Sequence, residues 1–134
     1  EISDRGMTED SVRQYVRYAF GLALNYSPVT VRGQFDELLA LYSPNGFAQA
    51  KTTLYALAED VENAKVSNSF YIQRMVLDPS GRVVEVQGIK RQYAGGVKLK
   101  DTNETYVLEY TVSNGRFMIE KIYLKEDRKE KEQS

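Results

Sequence analysis

The sequence predicts an α+β domain in which three amphipathic helices come first and a curled four-stranded antiparallel sheet follows. Two observations carry that prediction. Up to about residue 64 the apolar residues recur at helical spacing; beyond Val66 they gather in β-branched and aromatic runs bounded by turn signals. A chain of 134 residues suits one domain with a single core. Residues 1–7 read as a flexible lead, 8–124 as the folded domain, and 125–134 as a charged tail that frays or extends a helix into solvent.

The first helix begins after Thr8, a suitable N-cap, with Glu9 and Asp10 in the first turn where the helix dipole favours acids. Val12, Tyr15, Val16, Ala19, Phe20 and Ala23 form its apolar stripe. Asn25-Tyr26-Ser27-Pro28 ends it, because the residue before proline is pushed out of the α region. A second helix starts at Thr30 and turns Phe35, Leu38, Leu39 and Tyr42 inward. Ser43-Pro44 then opens a third helix, running to about Ala64, with Ser43 as N-cap and Pro44 at the first helical position. Phe47, Ala50, Leu54, Leu57, Ala58 and Val61 form its expected buried stripe.

Four strands follow. Phe70 to Leu77 stops at Asp78-Pro79-Ser80-Gly81, and Arg82 to Tyr93 stops at Ala94-Gly95-Gly96. Asp101-Thr102-Asn103 reads as a bend before a third strand from Thr105 to Val112. Asn114-Gly115 is the signature of a type I′ hairpin turn, and Arg116 to Leu124 is the fourth strand. A two-residue turn pairs Val112 with Phe117 and Tyr110 with Ile119, all on one face. Carried on, the same register sets Glu109 against Glu120 and Leu108 against Lys121, unfavourable on both faces. A β-bulge near Glu120 removes both conflicts by bringing Ile122 and Leu124 inward. An unbroken fourth strand would contradict that expectation. The element order suits a cone in which the sheet curls around the helices, as in nuclear transport factor 2-like and cystatin-like domains. Such cones host enzymes, ligand binders and assembly modules alike.

Lys+Arg 18 against Asp+Glu 19 leaves a net charge of −1, with no general attraction for nucleic acid or anionic membrane. The chain has no Cys and no His. It therefore lacks disulfides, thiolate chemistry, the common triads and most zinc or iron sites. No stretch approaches the roughly 20 apolar residues that span a bilayer, and the opening residues carry no signal-peptide pattern. The start at Glu1 rather than Met leads us to expect an anchor or targeting segment upstream.

Three constellations are candidates for chemistry. Ten tyrosines could include an oxyanion donor in a cone-shaped isomerase or dehydratase, given an inward carboxylate as base. Asp36, Asp60 and Asp101 are the candidates; the first two fall off the apolar stripes and the third lies in the bend. The plainer reading is half-buried tyrosines whose hydroxyls reach water. The carboxylate pairs Glu9/Asp10, Asp36/Glu37 and Glu59/Asp60 occupy adjacent helical positions, which do not face each other. Lys90 and Arg91, with Lys98, Lys100 and Tyr93, could touch nucleic acid by charge and stacking, but Asp101 and Glu104 dilute that charge. A protein-facing rim or a solvated edge fits better. No phosphate loop, dinucleotide fingerprint or zinc spacing is present. No catalytic residue, metal or cofactor is therefore expected. Tyr26, Pro28, Arg91 and Tyr93 are the candidate partner-binding residues, being aromatic, rigid or bidentate groups near turns. The alternative for Tyr26 and Pro28 is that they only set the angle between the first two helices.

The chain resembles the TraE family of conjugative pilus-assembly proteins over about residues 8–126. The matching features are Tyr26-Ser27-Pro28, Ser69-Phe70-Tyr71, Val86-x-Gly88-x-x-Arg91-x-Tyr93-x-Gly95, Thr105-Tyr106-x-Leu108-x-Tyr110, and Asn114-Gly115-Arg116-Phe117. The resemblance implies a short cytoplasmic segment, one inner-membrane helix and a periplasmic domain, of which this chain is the last part. It also implies a non-enzymatic scaffold in a type IV secretion apparatus, meeting other inner-membrane and channel components and self-associating. A cone-fold enzyme and a small-ligand carrier are the alternatives, each needing a deep pocket.

Overall fold

A computed structural model describes residues 2, 3 and 7–125. In chain order the elements are β1 (Ile2–Ser3), β2 (Met7–Thr8), α1 (Glu9–Leu24), α2 (Val31–Leu39), α3 (Pro44–Ala64), β3 (Val66–Asp78), β4 (Val83–Ala94), β5 (Val97–Lys98), β6 (Thr102–Ser113) and β7 (Arg116–Leu124). The three helices and four long strands stand where the sequence puts them. Two short pairings were not foreseen: β1 with β2, and β5 with the end of β4. Met7, expected in the flexible lead, is buried in the core. The tail from 126 to 134 lies outside the described residues.

Local chemistry sets the helix starts. The Thr8 hydroxyl accepts from the Ser11 amide at 3.1 Å, and the Ser43 hydroxyl from the Gly46 amide at 3.3 Å. Lys65, in the left-handed region at φ 54°, closes α3. The stripe of α1 is buried apart from Tyr15, which lies flat on Phe117 with ring centroids 5.0 Å apart and leaves its outer face in solvent. Leu22, three residues beyond Ala19 on the same side, is buried although the expected stripe omitted it. Phe47 and Leu57 correct the reading of α3, for both are substantially exposed. This helix packs along α2 and meets the sheet chiefly at β7, so the flanks of its stripe remain in solvent.

The long strands form one antiparallel sheet in the order β3-β4-β6-β7. Asn114 and Gly115 take φ 53° and 75°, the left-handed pair that a type I′ turn requires, and Val112 pairs with Phe117 and Tyr110 with Ile119 as expected. The register then shifts: Glu109 faces Lys121, Leu108 faces Ile122 and Tyr106 faces Leu124. Glu120 is the extra residue. The backbone stays strand-like from Arg116 to Leu124, and the break lies in the ladder. A second bulge, at Gln73 of β3, brings Met75 and Leu77 opposite Val86 and Val84. Bulges on both outer strands increase the twist and curl the sheet.

Other strand boundaries moved. β3 begins at Val66, four residues early, because the polar Ser67-Asn68-Ser69 segment pairs with β4. β6 begins at Thr102, since Thr102 and Asn103 pair with Lys90 and Ile89 where a bend was expected. The main core joins α1, through Val12, Val16, Ala19 and Phe20, to Phe70, Val84, Val86, Leu108, Tyr110, Phe117 and Ile119 of the sheet. A smaller one, Val31, Phe35, Ala58 and Val61, holds α2 to α3. Two loops close sheet edges. Ile119 exchanges backbone hydrogen bonds with the α2–α3 linker at Leu41 and Ser43, and Tyr26 and Asn68 bond each other at 2.9 and 3.0 Å.

Candidate functional site

Aromatic rings pack together in the interior between α1 and the sheet. Phe20, Phe70 and Tyr106 meet one another with ring centroids 5.4 to 6.1 Å apart. Two hollows are open surface depressions, about 370 Å³ beside 100–104 and about 330 Å³ beside Ser11, Gln14, Tyr15 and Tyr18. The candidate carboxylates sit elsewhere. Asp36 accepts from the Tyr55 hydroxyl at 3.0 Å and its neighbour Glu37 from Tyr18 at 2.7 Å. Adjacent positions on α2 therefore clasp two different helices, α3 and α1. Each carboxylate raises the pKa of its tyrosine, chiefly through that hydrogen bond. Asp60 is exposed. Among the described residues no three acidic side chains converge as a metal site would need, and no helix there is long and apolar enough to cross a membrane.

Arg91 and Tyr93 come together on the outer face of β4, two residues apart and so on the same side. The Arg91 guanidinium is gripped in a fork by Asp101: Nε donates to Oδ1 at 3.1 Å and Nη2 to Oδ2 at 3.0 Å. It also lies over the Tyr71 ring, 5.4 Å from the centroid. Lys98 stands 3.8 Å from Asp101 Oδ2. The Arg91 hydrogen bonds hold the Asp101 carboxyl below its usual range, against a smaller opposing effect of desolvation. Tyr71 is 51% exposed and Tyr93 40%, beside the exposed Val97 and Leu99. The result is a fixed guanidinium between accessible aromatic rings.

Tyr26 and Pro28 lie one strand away. Tyr26 bridges to Asn68, whose partner on β4 is Gln92, between Arg91 and Tyr93 in sequence but facing the other side. Its ring packs edge-on against Phe35 at 5.7 Å, and burial raises its pKa. Pro28 is half-buried in the turn where the Thr30 and Val31 amides donate to the Ser27 carbonyl. These contacts fix the path from α1 to α2. Tyr71 and the pairing of Asp101 with Arg91 were missed from sequence. Gly95-Gly96 between Arg91 and Asp101 signalled a reversal that could approximate the latter pair; nothing local signalled Tyr71, which depends on strand register.

Three helices closed on a curled antiparallel sheet, with aromatic residues packed in the interior, define a cone of the nuclear transport factor 2-like class. The chain belongs to the TraE family, described as TraE protein, whose sequence profile matches residues 1–124. No curated protein sequence matches it. Among solved structures it is similar to a TraE protein in complex with 2-chloroisonicotinic acid, at TM-score 0.73 and 10% identity over 90% of this chain and 97% of that one. It is also similar to a TrwG component of a type IV secretion system from Bartonella birtlesii, at TM-score 0.71 and 12% identity, covering 87% and 91%. The periplasmic domain of DotI matches at TM-score 0.67 and 17% identity, covering 88% and 95%. At such identities the likeness is one of fold.

Proposed function

We propose that this TraE family member is a non-enzymatic scaffold of a conjugative type IV secretion apparatus, a periplasmic domain held at the inner membrane by an upstream anchor. Family membership over residues 1–124 supports the apparatus. The fold shared with the DotI periplasmic domain and the TrwG component supports the compartment. The packed aromatic interior and the surface engagement of Asp36 and Asp101 favour a scaffold over an isomerase or a ligand carrier.

The observation that carries a binding role is the outer-face cluster of Tyr71, Arg91 and Tyr93. Rigid Arg and Tyr groups anchor protein interfaces because little side-chain entropy is lost on binding. Within the candidate set, Arg91 and Tyr93 meet the partner; Tyr26 and Pro28 hold the adjoining turn. The partners are other inner-membrane and channel components, or further copies of this chain. Pull-down of those components with Tyr71→Ala and Tyr93→Ala is the test, because neither exposed ring supports the core. Recovery should fall at least about tenfold for the double variant. Unchanged recovery by a folded double variant sinks the assignment.

A further inference from the structure

Loops and side chains meet the outer sheet edges at several points, and among the described residues one end of β6 has a strand on one side only. On β7 the linker at Leu41 and Ser43 pairs with Ile119. On β3 the outer edge is met by Tyr26 at Asn68, by the Asn25 side chain at the Phe70 amide (2.9 Å) and by Arg13 at the Met75 carbonyl (3.2 Å), and the bulge at Gln73 bends it. The first four residues of β6, from Thr102 to Thr105, differ. They pair with 87–90 of β4 on one side, while β7 stops at Leu124 opposite Tyr106. Among the described residues nothing pairs with their other edge, and the segment has no bulge. Lys125, the last described residue, reaches Glu85 with its ammonium at 3.1 Å. The shallow hollow of about 370 Å³ runs beside this edge, lined by 100–104.

Open edges are a hazard that proteins ordinarily cover, charge or bend. A flat edge beside a hollow is how strand addition is built. Four residues span about 13 Å, room for a short extended segment. The surrounding charge selects its sign. Asp101 is already held by Arg91 and Lys98, and Glu104 by Lys90 at 3.2 Å and the Tyr106 hydroxyl at 2.7 Å. Lys100 has no carboxylate partner among the described residues. Four cations thus surround two satisfied carboxylates, on a chain whose net charge is −1.

We propose that an extended acidic segment of a partner protein adds to the sheet as a strand along Thr102–Thr105, continuing the line of β7 beyond Leu124. The inference goes beyond the aromatic cluster, for it uses the backbone of β6 and not the rings of Tyr71 and Tyr93. The test is amide hydrogen exchange by NMR on the 134-residue chain, alone and with a capped hexapeptide of alternating Glu and Val. A Lys and Val hexapeptide is the control. In the free chain the outward amides of 102–105 should exchange far faster than those of Tyr106–Glu109, which lie between two strands. The acidic peptide should slow them at least about tenfold and the basic one should not. Lys100→Glu should weaken the acidic peptide about fivefold, the scale of one exposed ion pair, with an unchanged melting temperature. Slow exchange in the free chain at every concentration means the edge is already covered and overturns the proposal. Protection that grows with protein concentration alone assigns the edge to a second copy and also overturns it. So does protection at another strand, equal protection by both peptides, or none.

Discussion

Gly88→Ala should destabilise the domain through one identifiable clash. Gly88 pairs with Ile72 beside the Gln73 bulge, where β3 comes close over β4. A methyl group there would press on the Tyr71 carbonyl oxygen and come within 2.8 Å of Phe70 Cζ. Neither can withdraw easily. The carbonyl belongs to a paired strand, and the Phe70 ring is buried between Phe20 and Tyr106. Overpacking of this kind costs about 1–3 kcal/mol, and fixed neighbours put this site near the upper end. The lower unfolded-state entropy of alanine offsets about 0.5 kcal/mol. The net loss is about 2 kcal/mol, or about 8 °C in melting temperature for a domain of this size. Gly33→Ala is the matched control. It lies within α2 with nothing inside 4 Å of the added methyl, so it should gain about 0.5–1 kcal/mol. Urea and thermal melts followed by circular dichroism measure both. If Gly88→Ala melts with the parent chain, the close approach does not constrain the sheet and the reasoning fails.

Two pH effects follow from the geometry. Burial pushes the Tyr42 phenol from its ordinary 10.0 to about 12. The stability tied to its neutral form is intact below pH 10.0 and is lost as the pH rises through the folded value of about 12. Tyr42→Phe should flatten this alkaline limb in urea titrations, and an unchanged limb would assign it to other groups. The Asp101 carboxyl is held low by Arg91, so the stability of that pair is present above the ordinary carboxylate pKa and is lost as pH falls through the depressed folded value. Carbon-detected NMR should place its midpoint below the ordinary aspartate value of 3.8, and Arg91→Gln should raise it. Equal midpoints in the two chains would remove the fork from the account.

Periodicity carried the helices because each buries one face, and one face leaves a repeat that can be read locally. Thr8, Ser43-Pro44 and Asn114-Gly115 marked boundaries for the same reason, since caps and tight turns are set by the nearest few residues. The bulge at Glu120 was legible because extending a correct register produced a charge conflict and a buried lysine together. The bulge at Gln73 was not. It answers to the close approach at Gly88, across a strand pairing that no neighbouring residue specifies. The early start of β3 is not legible locally, because Ser67, Asn68 and Ser69 are poor strand formers whose pairing comes from β4 and from the Tyr26 bridge.

The same division runs through the candidate site. Residue types alone singled out Arg91 and Tyr93 as groups able to anchor a partner, and the missing histidine and cysteine removed most catalytic chemistry. Tertiary structure decided that Asp101 holds Arg91, that Tyr71 lies beneath it, and that Tyr26 spends its ring on Phe35. It also decided that β7 ends at Leu124, so that among the described residues Thr102–Thr105 of β6 pair only with β4. The plan of helices before sheet follows from patterns a few residues long, so the sequence by itself determined it. Which side chains meet across strands, and which edge stays open, depends on register and strand length. Those are set only when the whole sheet closes over α1.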